Sequence, residues 1–414
     1  MRLPAKEELS SRKPLLRDVK VVDFGWAVVS PISATYLGFL GATVITVESS
    51  TRLNIIRQAG PYKDGIPHPD RSGYYTNYNT GKYSIVLDLK NPRGLEIGKK
   101  LIHWADVLVE NFAPGVMGRL GLDYESVQGI NPSIIYASTC QLGQTGPHAQ
   151  FRGMGVQGAA LAGLYPTTGW PGGDPVGPFG AYTDFVAPKF LVSAILAALL
   201  YRHHTGKGQY IEQSQVEAGM NFVGPALMDY IVNGSVLHCP GNREPNAAPH
   251  GAYRCQGEDR WCAIAVYTDQ EWRAFCQAIG SPPWTNDEKF STLLGRKENE
   301  AELDSLVEQW SLGHPAEYVM DLLQRAGVPA GVVATAEDLH KDPQLLHRQH
   351  YRRLNHPVIG LHSYEAPAFR FSNAPVFFER PAPCLGEHNQ YICTEILDLT
   401  EEEYRSLEKD GVFR

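Results

Sequence analysis

The sequence predicts an α/β fold in which a parallel, Rossmann-like sheet forms a large domain and a smaller α+β domain follows. Over roughly the first 140 residues, short β-branched segments alternate with helical ones, a pattern typical of a parallel sheet with helices on both faces. Beyond about residue 240, paired strand-like segments precede several short helices. A chain of 414 residues also exceeds the usual size of one hydrophobic core. We therefore predict a large domain over 1–234, a small domain over 235–340 and a C-terminal segment over 341–414 that again contains strand-like sequence.

The first unit of the predicted sheet is β-α-β. Residues 19–24 form a short β-branched segment typical of a buried strand. Ser30 and Pro31 suit an N-cap followed by proline at the first helical position, and Gly41 is a natural helix end. The next strand, ATVITVE, ends at Glu48.

An acidic residue after the second strand is also a feature of dinucleotide-binding folds. The turn after the first strand, however, reads FGWAVVSP and lacks the GxGxxG glycines that let the backbone approach a pyrophosphate. The sequence thus favours the nucleotide-fold architecture and argues against a nicotinamide dinucleotide as the ligand.

Three loops are expected at the carboxyl edge of the sheet, where ligands bind in such folds. Residues 85–89, 106–110 and 134–138 read as strands, with an amphipathic helix over 93–104. The loops that follow strands at this edge are 24–29, 110–112 and 141–146. Each loop alone could be a plain turn, so it is their expected shared edge that indicates a cleft.

A long Gly- and Pro-rich segment, 141–187, precedes an apolar helix. Long ordered loops in compact proteins tend to be functional, and residues 169–180 have the composition of a loop that covers a pocket. Pro188 is expected to open the helix, which runs to about residue 203 and ends at a Thr-Gly-Lys-Gly turn. Its longest apolar run, FLVSAILAALLY, is shorter than the roughly 20 residues that span a bilayer.

The remaining segments follow the same reasoning. Residues 209–234 read as a strand and a helix, and two strands joined by a polar turn at 256–259 begin the small domain. Helices are expected over 299–312 and 315–326. In the tail, HPVIG and FRFS look like strands and DLTEEEYRSLEKDG looks like a helix.

Composition and charge narrow the class of protein. Hydrophobic residues make up 43% and charged residues 20%, as in ordinary globular proteins, and a net charge of −8 without a basic block argues against nucleic acid. The N-terminal segment lacks the apolar region of a secretory signal, and the seven cysteines are scattered, so we expect reduced thiols in a cytoplasmic protein. Fourteen histidines form no HExxH motif, and we predict no metal site.

One carboxylate draws attention within GAYTDFVAPKF. Asp184 stands between the Gly-rich loop and the apolar helix. Acidic residues favour helix N-termini, so a helix cap is the simplest reading of the local sequence. The alternative is a reactive group, held ionised by a helix N-terminus while glycine N–H groups approach a reacting carbonyl.

Several motifs, in order along nearly the whole chain, resemble the family III CoA-transferases. This group includes formyl-CoA transferase, carnitine CoA-transferase and α-methylacyl-CoA racemase. The motifs are LRDVKVVDFGWAVVSP, LGATVITVES, NTGKYSIVLDLK, ADVLVENFAPGVMGRLGLDYESVQGINPSIIYAS, LGQTGP, TTGWPGGDP, HHTGKGQ, APHGAYRC, RWCAIAV and CLGEHN. The strings VESSTRLNIIR and AYTDFVAP are most similar to the benzylsuccinate CoA-transferase branch.

The resemblance implies a mechanism and an assembly. In the family the nucleophilic aspartate lies after the TTG-containing loop, which is the position of Asp184 here. The chain is then expected to move CoA between carboxylic acids through an aspartyl-CoA thioester, with succinyl-CoA as donor and a larger, benzylsuccinate-like acid as acceptor. Coenzyme A is a substrate, and no tightly bound cofactor is implied. The family also implies two interlocked chains, either a homodimer or a heteromer with a related subunit. The resemblance further implies that the C-terminal segment, 341–414, returns to the large domain.

Further site residues follow only from matched positions. Lys82, Asn111, Phe112 and Arg119 fall in segments that border the nucleotide in the family. Two more positions belong to the expected acyl-CoA site: Val28, where formyl-CoA transferases carry a glutamine, and Met154, where the racemases carry a histidine. An apolar wall at residues 26–29 is expected to favour a large acid over oxalate or formate, with Trp26 or Trp170 against an aromatic ring.

Two other functions stay open at this point. A racemase would need a proton-carrying residue thirty positions before Asp184; Met154 cannot carry a proton, and the nearby His148 lies in a turn. A non-catalytic, acyl-CoA-binding subunit of a heteromer is the second alternative. The other carboxylate near the loop, Asp174, reads as a turn residue.

Overall fold

A computed structural model describes residues 12–414; the prediction about the N-terminal segment therefore falls mostly outside the described residues. The strands are β1 Lys20–Asp23, β2 Thr43–Glu48, β3 Tyr83–Val86, β4 Val107–Glu110, β5 Ile135–Cys140, β6 Gln209–Ser214, β7 His250–Arg254, β8 Trp261–Ala265, β9 Ala330–Val332, β10 Tyr351–His356 and β11 Gly360–Glu365. The first helices are α1 Val29–Phe39, α2 Gly73–Tyr78, α3 Pro92–Trp104, α4 Val116–Arg119, α5 Tyr124–Ile130, α6 Gly155–Leu161, α7 Tyr182–Thr205, α8 Gln215–Met220 and α9 Gly224–Asn233. The others are α10 Asp269–Ala278, α11 Leu293–Glu298, α12 Glu300–Ser311, α13 Ala316–Arg325, α14 Ala336–Lys341, α15 Pro343–His347, α16 Asn389–Tyr391 and α17 Glu401–Lys409.

The parallel sheet is confirmed. Its six strands lie in the order β3-β2-β1-β4-β5-β6, and every neighbouring pair is parallel. Val22 lies in register with Ile45 on one side and Leu108 on the other. The strand order reverses between β1 and β4, and in such sheets the crevice at this reversal is where ligands bind.

Strands β1 to β5 are mostly buried on both faces, as their β-branched composition predicts, whereas alternate residues of the edge strand β6 are exposed. Val22, Ile45 and Leu108 point into a core that also contains α3 and the C-terminal α17. The alternate residues of the same strands point to the opposite face, where Leu37 of α1 and Ile195 of α7 pack. The nucleotide-fold architecture therefore follows from strand composition alone.

The chain divides into two compact units. Residues 12–164, 177–228 and 344–414 form the first, which holds the parallel sheet. Residues 165–176 and 229–343 form the second, in which β7, β8 and β9 make an antiparallel sheet packed by α10, α12 and α13. Domain borders at 234 and 340 stay a prediction.

Several local predictions are wrong. Helix α1 begins at Val29 without a side-chain cap, and the Ser30 hydroxyl donates instead to Asp23 at 2.8 Å. Helix α7 begins six residues before Pro188, which lies inside the helix. HPVIG is the turn of the β10–β11 hairpin, and FRFS is irregular. Helix and strand propensities are weak local preferences. Tertiary packing overrides them in these segments.

By length and composition, α7 could cross a membrane, although the apolar run within it is short. The helix has 24 residues, and an 18-residue stretch within it has a mean hydropathy of 1.7. Leu191, Ile195 and Ala198 are nonetheless fully buried against the parallel sheet. One face of α7 is therefore packed in the domain, and the cytoplasmic location stays a prediction.

Candidate functional site

The three loops predicted at the carboxyl edge of the sheet lie side by side. The Trp26 N–H donates to Asn111 Oδ1 at 2.6 Å, and Asn111 Nδ2 donates back to the Trp26 carbonyl at 2.6 Å. Gln144 Nε2 donates to the Phe112 carbonyl at 3.3 Å. The edge is therefore a continuous polar wall made by the loops after β1, β4 and β5.

This wall continues to the start of α6. Gln141, which follows β5 directly, donates from Nε2 to the carbonyl of Met154 at 3.0 Å. Met154 is the residue before α6, and its own N–H donates to Gln157 at 2.9 Å. The Gln141 side chain thus sets the position of the helix that faces Asp184.

Asp184 is the third residue of α7 and does not cap it. The residue before the helix is Ala181, and no side chain accepts a capping hydrogen bond there. The cap interpretation of the local sequence is therefore wrong. Because α7 begins earlier than predicted, Asp184 is held on a rigid helix and not on the preceding loop.

The carboxylate of Asp184 lies directly against Gly155. A β-carbon at Gly155 would fall 2.6 Å from Asp184 Oδ1 and 2.3 Å from the β-carbon of Ala181. A side chain cannot occupy this place unless the helices move apart. Thr183, fully buried beside it, is equally close to Gly158, where a β-carbon would lie 2.8 Å from its hydroxyl. Small residues thus bring α6 and α7 into contact beside the carboxylate.

Burial raises the pKa of Asp184 to about 6. Within the described chain no side chain pairs with this carboxylate to offset the cost of removing it from water. The helix N-terminus does not restore an ordinary pKa, contrary to the expectation that it would hold the group ionised. A carboxylate that ionises near neutral pH without an ion-pair partner is more basic, and hence more nucleophilic, than an exposed one.

A series of aromatic rings lies next to Asp184. Burial raises the pKa of Tyr74, and the nearby Asp184 carboxylate raises it further. The Tyr74 and Tyr78 rings are 5.4 Å apart, and the Tyr78 and Phe185 rings are 5.7 Å apart. These rings were missed in the sequence, although the tyrosine-rich GYYTNYNTGK before β3 was a usable signal.

Four other residues predicted to contact CoA or its acyl group lie in two kinds of position. Asn111 and Phe112 lie in the wall of loops, as described above. Arg119 is exposed at the end of α4, and Met154 is 63% exposed at the start of α6. A further cation lies close by, because the Arg52 guanidinium stacks 4.5 Å from the Trp26 ring.

Lys82 does not have the geometry of a phosphate ligand. Its ammonium is fully buried and donates to Asp23 at 2.8 Å, to Asn79 at 2.9 Å and to the Pro31 carbonyl at 2.9 Å. All three of its N–H donors are therefore used inside the fold. Burial lowers its pKa despite the adjacent Asp23. The predicted contact between Lys82 and CoA is corrected to a structural ion pair.

Val28 is likewise a core residue. It is 4% exposed and packs with Ile32, Phe39 and Tyr75. The expectation that Val28 makes the acid pocket apolar stays a prediction.

Glu48, the acid after β2, is committed to another network. Its two carboxylate oxygens accept hydrogen bonds from Arg57 Nε and Nη2, each at 2.8 Å. One of these oxygens also accepts hydrogen bonds from the Tyr75 and Ser84 hydroxyls. Burial alone would raise its pKa, but Arg57 and these hydrogen bonds hold it below its ordinary value. The carboxylate is thus not available to a ribose hydroxyl, which agrees with the missing glycine motif.

Glu110, at the end of β4, is a second buried acid. Burial raises its pKa to about 7, although the Phe112 N–H donates to it at 2.8 Å. It lines a cavity of about 240 Å³ with three tyrosines, Tyr124, Tyr136 and Tyr210. Glu110 begins the predicted cleft loop 110–112, but no pattern in the sequence marks its charge as unusual.

Residues of the TTG-containing loop fall in the second compact unit. Asp174 and Trp170 are both exposed there. His148, the racemase candidate, is exposed and stacks on Phe151 with ring centres 4.3 Å apart. Among residues 12–414, no three His, Cys, Asp or Glu side chains are grouped so as to hold a metal ion, and the seven cysteines are free thiols.

The chain is similar to known proteins over nearly its whole length. The profile described as CoA-transferase family III matches residues 16–389. A succinyl-CoA–D-citramalate CoA-transferase of Chloroflexus aurantiacus is 30% identical over 98% of this chain and 100% of its own length. A succinyl-CoA:glutarate CoA-transferase of Mus musculus is 31% identical over 98% of this chain and 92% of its own. The crystal structure of a CAIB/BAIF family protein from Brucella suis superposes with a TM-score of 0.85 at 30% identity, covering 93% of this chain and all of that one.

Proposed function

The chain belongs to CoA-transferase family III and is an enzyme that transfers CoA, and from this premise we propose that Asp184 is its covalent nucleophile. The observation that carries the proposal is the unpaired, partly buried carboxylate on α7, whose pKa is about 6. It lies against a glycine, so nothing but backbone borders it on that side. A group with this geometry can meet a planar thioester without first breaking an ion pair.

The chemistry needs no metal ion and no separate base. The Asp184 carboxylate attacks the carbonyl carbon of the acyl-CoA, the C–S bond breaks, and CoA leaves as a thiolate from a mixed anhydride. The thiolate then attacks the aspartyl carbon, which releases the donor carboxylate and leaves an aspartyl-CoA thioester. The acceptor carboxylate repeats both steps in reverse, so the Asp184 carboxylate is regenerated and no proton is consumed.

For the acids, we propose succinyl-CoA as donor and a dicarboxylic acid as acceptor. The two curated relatives named above use succinyl-CoA with D-citramalate or glutarate, and all three acids carry two carboxylates. More specifically, we propose that the acceptor is an aromatic, benzylsuccinate-like acid. Trp26 is the aromatic side chain that supports it, since its loop forms part of the wall.

CoA itself is proposed to lie along the wall of loops. Asn111 and Phe112 lie at the carboxyl edge where the strand order reverses, and Arg119 and Arg52 supply cations for phosphates nearby. Lys82 is left out because its donors are used. The exposed Met154 lies between this wall and Asp184, where it can contact the pantetheine arm.

We also propose that two chains associate, as an interlocked dimer or as a heteromer with a related subunit. Phe190 and Leu200 of α7 and Phe222 are large apolar side chains that stay exposed in one chain, by 44% to 62%. Exposed apolar surface of this kind is usually covered by a partner. Light scattering of the purified chain separates the two forms, because a dimer mass is expected for the homodimer, whereas a monomer mass would contradict the homodimer and leave the heteromer.

Covalent trapping tests the nucleophile directly. After incubation with succinyl-CoA, borohydride should reduce the aspartyl thioester, and hydroxylamine should convert it to a hydroxamate. Mass spectrometry is expected to place either modification on the peptide that contains Asp184. The Asp174 peptide from the same digest is the internal control. An unmodified Asp184 in protein shown to bind CoA would identify a non-catalytic subunit instead.

Activity should depend on pH through Asp184. Since only the ionised carboxylate attacks, kcat/KM is expected to be constant above pH 7 and to fall about tenfold per unit below pH about 6. The raised pKa of Asp184 also affects folding, but with the opposite pH dependence: protonation lowers activity and increases stability. The reason is that the folded state binds this proton more tightly than the unfolded state does. The stabilisation from the protonated Asp184 is fully present below the pKa that this residue has in the unfolded chain. It is lost as the pH rises through about 6. An acid limb centred near pH 4 would contradict this assignment.

A further inference from the structure

A cavity of about 170 Å³ opens one residue along α7 from Asp184. Phe185 and Lys189, four positions apart on the same face of α7, form one wall. Tyr36 of α1 and Tyr78 of α2 line it as well, next to Lys189 and Phe185 respectively. Aromatic side chains thus form part of the cavity lining, and Tyr78 connects the cavity to the ring series beside Asp184.

Lys189 is the cation of this cavity. Its ammonium lies 3.9 Å from the Tyr36 ring centre and, among the described residues, forms no ion pair. Side chains on a helix lean toward its N-terminus, so Lys189 leans back over the turn that carries Phe185, the residue next to Asp184. A long, flexible ammonium side chain can leave an aromatic face to meet an anion, since an exposed cation–π contact is weak.

Resting on the proposed function, we propose that Lys189 binds the distal carboxylate of the acyl group and so determines a preference for dicarboxylic acids. One carboxyl of such an acid reacts with Asp184 while the other lies in the cavity, and the aromatic walls contact the methylene carbons between them. Glu365 also lines the cavity and repels the same carboxylate. The preference therefore depends on the balance of these two opposite charges.

The test compares two donors that differ only in the distal carboxylate, succinyl-CoA and butyryl-CoA. The measured quantity is the rate at which each forms the trapped adduct on Asp184. In Lys189→Met, the ratio of the succinyl to the butyryl rate is expected to fall about tenfold or more, with the butyryl rate unchanged. Lys189→Arg should restore most of the ratio, and Glu365→Gln should raise it.

Lys207→Met, at an exposed lysine just beyond the end of α7, is the matched control and should leave the ratio unchanged. An equal loss with both donors in Lys189→Met would overturn the inference, because it would show an effect on α7 and not on the distal carboxylate. An unchanged ratio would overturn it as well. Failure of the proposed function has a different signature, since neither donor would then label the unsubstituted protein at Asp184.

Discussion

Asp184→Asn is expected to reduce CoA transfer by about 10³-fold or more, because the amide has no ionised oxygen to attack a thioester. The substitution keeps the size and shape of the side chain. It should not weaken the fold, since burial raises the pKa of Asp184 and an ionised carboxylate is therefore a cost to stability at neutral pH. We expect the free energy of unfolding at pH 8 to stay the same or to rise slightly.

Initial rates and urea unfolding of the same preparations separate the two effects. Asp174→Asn is the matched control, since it makes the same change on an exposed carboxylate of the loop. It should retain activity and stability. If Asp184→Asn transferred CoA at more than a few per cent of the original rate, Asp184 would not be the nucleophile. If its activity and stability fell together, the carboxylate would have a structural role.

Lys82→Met is expected to lower the free energy of unfolding by about 3–5 kcal/mol. The substitution leaves the Asp23 carboxylate fully buried with its cation removed. It also removes the hydrogen bonds that join β1, α1 and the segment before β3. Urea unfolding measured by circular dichroism would give the value.

Two further variants make this prediction specific. Lys90→Met, at an exposed lysine close in sequence, should change stability by less than about 0.5 kcal/mol. The double substitution Asp23→Asn with Lys82→Met should recover part of the loss, because the unpaired charge is gone. If Lys82→Met weakened CoA binding without loss of stability, the sequence-based assignment of Lys82 to the phosphates would be correct after all.

Asp184 and Lys82 show how far motif matching goes. Both were assigned to the functional site from family motifs. Nothing in the sequence shows which of them acts on a substrate and which stabilises the fold. The structure leaves Asp184 without an ion pair beside a glycine, whereas it places Lys82 among three acceptors. A motif identifies positions that matter to the family, but it does not say whether a residue acts on a substrate or on the fold.

The boundaries of α7 are the clearest local error. Pro188 favours a helix start, since proline lacks the N–H that the first turn does not use. The helix nonetheless begins at Tyr182, where packing against α6 through Gly155 and Gly158 outweighs the local preference. The consequence is functional, because the change moves Asp184 from a loop into the first turn of a helix.

The sequence by itself determined the parallel sheet, most of its strands and helices and the family, and it singled out Asp184 as a candidate nucleophile. Those features depend on local periodicity, β-branched composition and motifs that can be read along the chain. Only the tertiary structure decided the state of each charged group, because a pKa depends on burial and on partners distant in sequence. Lys82 and Asp23 are 59 residues apart and Tyr78 and Phe185 come from separate helices, so neither contact could be read from local sequence.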